Sequence, residues 1–281
     1  IIHVSWSKDI FIAVMLKLLT PGGISIIFYR QMKIPHKKKS SYHKFLYKHV
    51  DLFLVITDKL KEEAFRNIPI DKDKVIKLTY GISKPELNIE VDKSSFIKNN
   101  NIDSKIFSIG VFSRVEEQKG QHLILDAINM SSNQMQLCVI GHVMSSQYKE
   151  DLIIKAKIYH LTKYLKFINF LDSPMSYMPF FDLVILPTYE ETFGLVAAEA
   201  MIMGVPVIGS NAGGVPEIIS HGNNGLLFET QNIYDLSAKI DMIFENKPLR
   251  DNLVSNASEY AYKEFDYDKH FDRLEKIINF L

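Results

Sequence analysis

The feature that most constrains this chain is an alternation: short apolar runs recur between longer amphipathic stretches from one end of the sequence to the other. That is the signature of βαβ units, in which a strand buried on both faces is followed by a crossover helix. In the first part "IIHV", "GISIIFY", "LFLVIT" and "KVIKLTYG" read as strands. Helices fit "KDIFIAVMLKLL", "SSYHKFLYKHV" and "KLKEEAFRN", the last capped by Thr57 or Asp58. A polar segment, "EVDKSSFIKNNNIDSK", reads as an interdomain linker. The pattern then restarts with strands at "IFSIGVF", "QMQLCVIG", "LKFINF", "LVILP", "PVIGS" and "GLLFE" and helices between them. Two or three helices close the chain. In the last, Phe271, Leu274, Ile277, Ile278 and Leu281 form an apolar stripe that must dock on something. The expected organisation is a first domain over residues 1–90, a linker over 91–105, a second domain over 106–265 and a returning helix over 266–281. Both domains are expected to be doubly wound α/β sheets, with sites at the carboxyl ends of their strands.

Composition narrows the class. A chain of 281 residues, 47% hydrophobic and 23% charged, is a globular protein of one large or two ordinary domains. Its longest apolar stretch, "IFIAVMLKLL", is interrupted by Lys17 and is too short to span a bilayer, and no signal peptide is recognised. The single Cys138 excludes an intramolecular disulfide and suits a reducing cytoplasm. The neutral net charge hides an asymmetry, since residues 1–50 hold nine Lys/Arg against one acid, Asp9. Much of this charge lies in residues 30–48, "RQMKIPHKKKSSYHKFLYK". It suits an anionic membrane surface or a phosphorylated substrate, or else a solvated helix face. No motif points to nucleic acid, and the nine histidines lack zinc-ligand spacing. "DKD" at 71–73 and "DYD" at 266–268 read as loop and capping residues rather than metal ligands. Trp6 is expected to pack.

The stretch "LPTYEETFGLVAAEAM" reads as a strand end, a loop and a helix start, with Thr192 as the expected N-cap. The free N–H groups of Gly194, Leu195 and Val196 would attract an anion or sugar hydroxyls. Glu199 stands four residues beyond Leu195 on the same face, one turn deeper, and Glu191 approaches from the loop. Two carboxylates around one helix N-terminus would grip a ligand rich in hydroxyls. Taken alone, the spacing equally allows a surface Glu191 and a Glu199 paired inside the protein.

The wider segment "EETFGLVAAEAMIMGVPVIGSNAGGVPEII", followed by "NNGLLF", resembles the nucleotide-sugar site of glycosyltransferase family 4. The signature is present as Glu191 and Glu199, Phe193-Gly194, Ala200-Met201, the Gly-x-Pro-Val of 204–207 and the Gly-Gly-x-x-Glu of 213–217. Upstream, "SIGVFSRVEEQKGQHLILDAI" is similar to the family's glycine, arginine and Lys-Gly segment, with Gly110, Arg114, Lys119 and Gly120 at those positions. The likeness is specific between residues 106 and 228. It implies a GT-B fold of two Rossmann-like domains with the site in the cleft, and sugar transfer with retention of configuration.

By that resemblance Arg114 and Lys119 stabilise the departing diphosphate without a metal or other cofactor, and Glu191 reaches the transferred sugar. Glu199 holds the ribose, and Gly194, Leu195 and Val196 contact the sugar and distal phosphate after Phe193. Gly110 belongs to the same donor-binding set, and Gly141, Phe170 and Leu171 border the base. Partners would be a nucleotide-sugar donor and a sugar, glycan or lipid-linked acceptor on the amino-terminal side. Peripheral contact with the inner face of a membrane is part of the same expectation.

The chain departs from the family in three places. "GHVMSS" follows Gly141 where a second glycine and a proline are usual. Arg30 stands where many relatives carry a histidine near the sugar, and could bind acceptor phosphate. The amino-terminal domain lacks its opening strand and glycine-rich loop, so it is expected to be incomplete. The rival readings are a nucleotide-binding module without transferase activity and a GT-B epimerase or phosphorylase.

Overall fold

The computed structural model describes residues 1–21, 23–85, 92–279 and 281. They form two compact units, Ile1–Ile82 with Phe265–Leu281, and Ser83–Glu264.

The first unit holds four parallel strands, β1 (Ile2–Val4), β2 (Ile26–Arg30), β3 (Leu52–Val55) and β4 (Val75–Lys77). Its crossover helices are α1 (Ile10–Leu19), α2 (Ser41–Lys48) and α3 (Asp58–Asn67). The strands lie in simple sequential order, so the reversal expected of a doubly wound sheet is not among these four. Local chemistry sets the helix starts. Ser40 accepts from the His43 amide to begin α2, and of the two candidates for α3 it is Thr57 that caps, accepting from Leu60. Lys17 of α1 pairs with Asp51 at 2.5 Å, and the same carboxylate accepts from the Ile26 amide at 2.7 Å, fastening the helix to the sheet. Trp6 does not pack inside: it is 56% exposed, with the Lys8 ammonium 5.8 Å from its ring centre.

The second unit begins at Ser83, and the expected linker is not extended where it is described. Val91 lies outside the described residues, and helix α4 (Lys93–Asn99) follows, capped by Asp92, which accepts from the Ser94 and Ser95 amides. Phe96 of α4 is buried against Tyr177, Phe180 and Phe181. A polar composition therefore conceals an anchored element.

The sheet of this unit has six parallel strands, β5 (Phe107–Phe112), β6 (Met135–Ile140), β7 (Leu165–Ile168), β8 (Leu183–Leu186), β9 (Val207–Ser210) and β10 (Leu226–Phe228). Their order is β10-β9-β8-β5-β6-β7. Every residue of β6, β8 and β9 is buried, which is why these strands read as continuous apolar runs. Helices α5 (Gln121–Met130), α6 (Ser146–Ile158), α7 (Leu195–Ile202), α8 (Val215–Ile218), α9 (Ile233–Glu245) and α10 (Lys247–Glu264) cover its two faces. Cys138 is fully buried on β6, and burial pushes its thiol up to about 12, so it behaves as a small apolar core residue.

The last helix, α11 (Tyr267–Ile278), groups with the first unit. Leu274, Ile277 and Ile278 of the apolar stripe pack on Ile27, Leu52, Leu54 and Leu78, while Phe271 remains 47% and Leu281 45% exposed. Asp266 caps this helix by accepting from the Lys269 amide.

Candidate active site

In the second unit the chain leaves β5 towards β6 and β7, then returns through β8 on the other side of β5. The carboxyl ends of β5 and β8 thus flank the point where the winding reverses, the place where open α/β sheets bind ligands. A cavity of about 200 Å³ lies there, lined by Arg114, Lys119, Thr188, Glu191 and Val196 among others.

Two turns bring the charged groups into it. After β5 the backbone reaches Gly120, whose φ of +68° is left-handed and whose absent Cβ would lie 2.1 Å from the Pro187 carbonyl oxygen. A side chain there would part the Lys119 turn from the loop after β8. With glycine in place, the Tyr189 amide and the Thr188 hydroxyl both donate to the Gln118 carbonyl, at 3.0 and 3.3 Å. The second turn is at Gly213, φ +61°, where a Cβ would stand 1.7 Å from the Glu191 carbonyl oxygen. The neighbouring Gly214 amide donates to that same oxygen at 2.8 Å.

So held, Glu191 meets Lys119: the ammonium donates to Oε2 at 2.9 Å, and the Thr192 amide donates to Oε1 at 3.1 Å. Arg114, 56% exposed, pairs with Glu116 at 2.8 Å. Each cation is thus matched to a carboxylate of its own neighbourhood.

Helix α7 starts differently from the sequence expectation. Its N-cap is Gly194, at φ +97°, and not Thr192, which lies two residues before the cap position. Only glycine adopts that backbone without cost, and a Cβ would also press on Val215 at 3.3 Å. No side chain caps the helix, and Leu195 is exposed and Val196 half-buried at its first turn. Glu199 lies one turn beyond Val196 on the same face. It is half-buried, and desolvation pushes its carboxyl up to about 7. Among the described residues no hydrogen bond or ion pair reaches its side chain. The internal ion-pair role that the spacing allowed is therefore not what it has.

Two expected donor contacts fall elsewhere. Gly110 is not at a strand end but inside β5, paired with Cys138 and Val184. A Cβ there would meet Phe112 and Phe181 at 3.0 Å, so this glycine makes room for ring packing. The Phe193 side chain is buried, only 4% exposed, and supports the loop from within. Gly141 does end β6, at φ +146°, where a Cβ would lie 2.3 Å from the Ser113 carbonyl oxygen. Next to it His142 stacks on Phe170, ring centres 4.6 Å apart and planes 7° from parallel, both exposed beyond β6 and β7. His142 escaped the sequence reading because its stacking partner comes from the next strand. Leu171 is half-buried beside them in the chain.

Arg30 belongs to the first unit, at the end of β2. It donates to the Lys33 carbonyl at 2.5 Å and lies 3.4 Å from the Ser7 hydroxyl, and burial lowers its pKa from the ordinary guanidinium value. Among the described residues no cluster of His, Cys, Asp and Glu has the arrangement of a metal site, and no helix is long and apolar enough to cross a membrane.

Residues 92–260, more than half of the chain, match the family described as glycosyl transferases group 1. The chain belongs to that family. Among its relatives is an uncharacterized glycosyltransferase of Methanocaldococcus jannaschii, 29% identical over 222 residues, 76% of this chain and 56% of that protein. The N-acetyl-alpha-D-glucosaminyl L-malate synthase of Bacillus anthracis is 27% identical over 202 residues, 72% of this chain and 48% of that enzyme. The chain thus spans about half the length of these two relatives. The crystal structure of Anabaena HepE in complex with UDP and glucose superposes with a TM-score of 0.82 at 20% identity, covering 99% of this chain and 77% of that one. This group 1 glycosyltransferase has the α/β, GT-B type of fold, with parallel sheets in both units.

Proposed function

We propose that this chain transfers a hexose from a nucleotide-sugar donor with retention of configuration, in the manner of glycosyltransferase family 4. The observation that carries the reading is Glu199. A half-buried, desolvated carboxylate without a protein partner, one turn below the open start of α7, costs stability unless a ligand supplies donors. A ribose diol has two such donors at the right spacing for one carboxylate. The adjacent cavity offers what the rest of a nucleotide-sugar requires. Departure of the nucleoside diphosphate builds negative charge, which Arg114 and Lys119 offset through preorganised contacts. On donor binding the two cations exchange Glu116 and Glu191 for phosphate oxygens, and Glu191 turns to the sugar hydroxyls. The exposed His142–Phe170 stack offers a flat face to a base. The UDP complex of HepE makes a uracil nucleotide the first to try.

The acceptor is a sugar, a glycan or a lipid-linked group, with Arg30 a candidate for its phosphate. The basic residues 30–48 would favour an anionic membrane surface, and association with anionic vesicles that weakens with salt is the expected result. Incubation with UDP-hexoses and an acceptor panel, followed by NMR of the product's anomeric proton, tests the reaction. Retention gives a product of the donor's own configuration; an inverted product contradicts it. Conversion of the donor without acceptor would mark an epimerase, and a requirement for free phosphate a phosphorylase.

A further inference from the structure

A second cavity, about 580 Å³, lies on the other side of the Lys119 turn, between residues 116–118 and the start of α6. One wall is His122, in the first turn of α5, and both of its ring nitrogens are held by tyrosines. Nδ1 is 2.8 Å from the Tyr148 hydroxyl of α6, and Nε2 is 2.8 Å from the Tyr189 hydroxyl of the loop after β8. The Tyr148 oxygen also accepts the His122 backbone N–H at 3.2 Å. We assign the neutral tautomer in which the Tyr148 O–H donates to Nδ1 and Nε2–H donates to Tyr189. The neutral imidazole is thus a rigid spacer between a helix and a loop. Tyr189 lies two residues before Glu191, and its amide is bonded to the carbonyl of Gln118, the residue before Lys119.

We propose that His122 is a positioning residue: by bridging Tyr148 to Tyr189 it fixes the Glu191 loop against the Lys119 turn. The ion pair joins only two long side-chain ends, whereas the bridge ties helix α6 and the first turn of α5 to the loop itself. This inference rests on the assignment of Lys119 and Glu191 to the donor site. It also makes the loop pH-sensitive. Protonation at Nδ1 makes that nitrogen a donor, so the Tyr148 hydroxyl must turn its proton away and accept it beside the His122 amide, which weakens that end of the bridge. The groups facing His122 are Tyr148 and Lys155 from α6, Tyr189 from the loop, Asp126 on its own helix and Glu117 in the turn, with Glu116 and Asp151 lining the same cavity. Desolvation first, and then Lys155, lower the imidazole pKa below its ordinary 6.5. A depressed value means that the neutral bridge is intact above 6.5 and weakens as the pH falls below it.

Amide hydrogen exchange reads the bridge without any ligand. The reporters are the amides of Tyr189, Thr192 and Gly214, which are bonded to Gln118, Glu191 and Glu191 respectively. His122→Asn retains an amide nitrogen near the Nδ1 position only, His122→Gln near the Nε2 position, and Tyr189→Phe deletes one hydroxyl at a half-buried ring. In the Asn and Phe variants these three amides should exchange at least tenfold faster, while amides of β6 change less than twofold; His122→Gln, which keeps only the Tyr189 end, should fall between them and the parent. In the parent, after correction for intrinsic rates, loop exchange should quicken below pH 6.5 towards the rate of His122→Gln, which itself should not change with pH. Unchanged loop amides in the Asn and Phe variants overturn the proposal, as does an equal rise throughout the sheet or an unprotected parent loop. Tyr189→Phe should also weaken UDP-hexose binding at least fivefold while UDP moves less than twofold. A parent that binds no nucleotide would remove the donor-site assignment and leave the exchange result standing.

Discussion

Lys119 and Glu191 stand 72 residues apart in the chain, and their side chains meet at 2.9 Å. The pair joins the turn before α5 to the loop before α7, so two strand ends share one charged junction. With side chains 19% and 29% exposed, it contributes little to stability. Lys119→Met should therefore cost less than about 1 kcal/mol in urea unfolding. Its effect on binding should be larger. A charge-assisted bond to phosphate is worth about 1.5–3 kcal/mol, so nucleoside diphosphate affinity should fall roughly ten- to a hundredfold in calorimetric titration. An unchanged affinity would remove Lys119 from the site.

Gly213 fixes the Glu191 loop more firmly than the ion pair does. Gly213→Ala places a Cβ 1.7 Å from the Glu191 carbonyl oxygen at a left-handed φ. The expected loss is about 2–4 kcal/mol together with donor binding. Gly222, at φ +76° with nothing within 4 Å of a built Cβ, is the control. Its alanine variant should lose only about 1 kcal/mol, the left-handed cost alone. Equal losses in urea unfolding would mean that the Glu191 loop yields freely.

Glu199 gives a prediction in pH. Its folded pKa, about 7, lies above the ordinary 4.5, so folding favours the protonated form. That contribution is complete below 4.5 and is lost as the pH rises through 7, a difference approaching about 3 kcal/mol by pH 8. Glu199→Gln should make the unliganded protein more stable than the parent at pH 8 by about 1–3 kcal/mol and leave it nearly unchanged at pH 5. The same variant should lose most of its nucleotide affinity. Equal stability at both pH values would show that the carboxylate is solvated.

Much of this was legible in the sequence, because buried parallel strands are apolar throughout. "QMQLCVIG" and "LVILP" could hardly be anything else, and the Glu191 to Glu199 spacing placed both carboxylates correctly about α7. What was hidden depended on partners distant in sequence. Gly110 looks like a ligand-loop glycine until Phe181, from beyond β7, is seen against it. Thr192 is a good cap by type, but the left-handed turn into α7 puts Gly194 at the cap position and leaves Thr192 two residues outside it. Asp92 announced a helix that its polar neighbours disguised as linker. The His122–Tyr189 contact spans 67 residues and leaves no local pattern at all.

The aromatic stack offers a further check. Phe170→Ala removes one of two exposed rings that do little for the core. It should leave stability within about 0.5 kcal/mol and weaken nucleotide binding by about 1 kcal/mol, a fivefold change in titration. Loss of stability without loss of binding would make the stack structural.

The most direct test of the donor site is thermal unfolding with UDP, GDP, ADP and their common sugar conjugates, EDTA present, on the parent and on Lys119→Ala. A ligand at a hundred times its dissociation constant adds about 2.7 kcal/mol. The predicted result is a rise in melting temperature with one base only, kept in EDTA and reduced in the variant. No rise with any nucleotide, or an equal rise in both proteins, would contradict a donor site built on Lys119, Glu191 and Glu199.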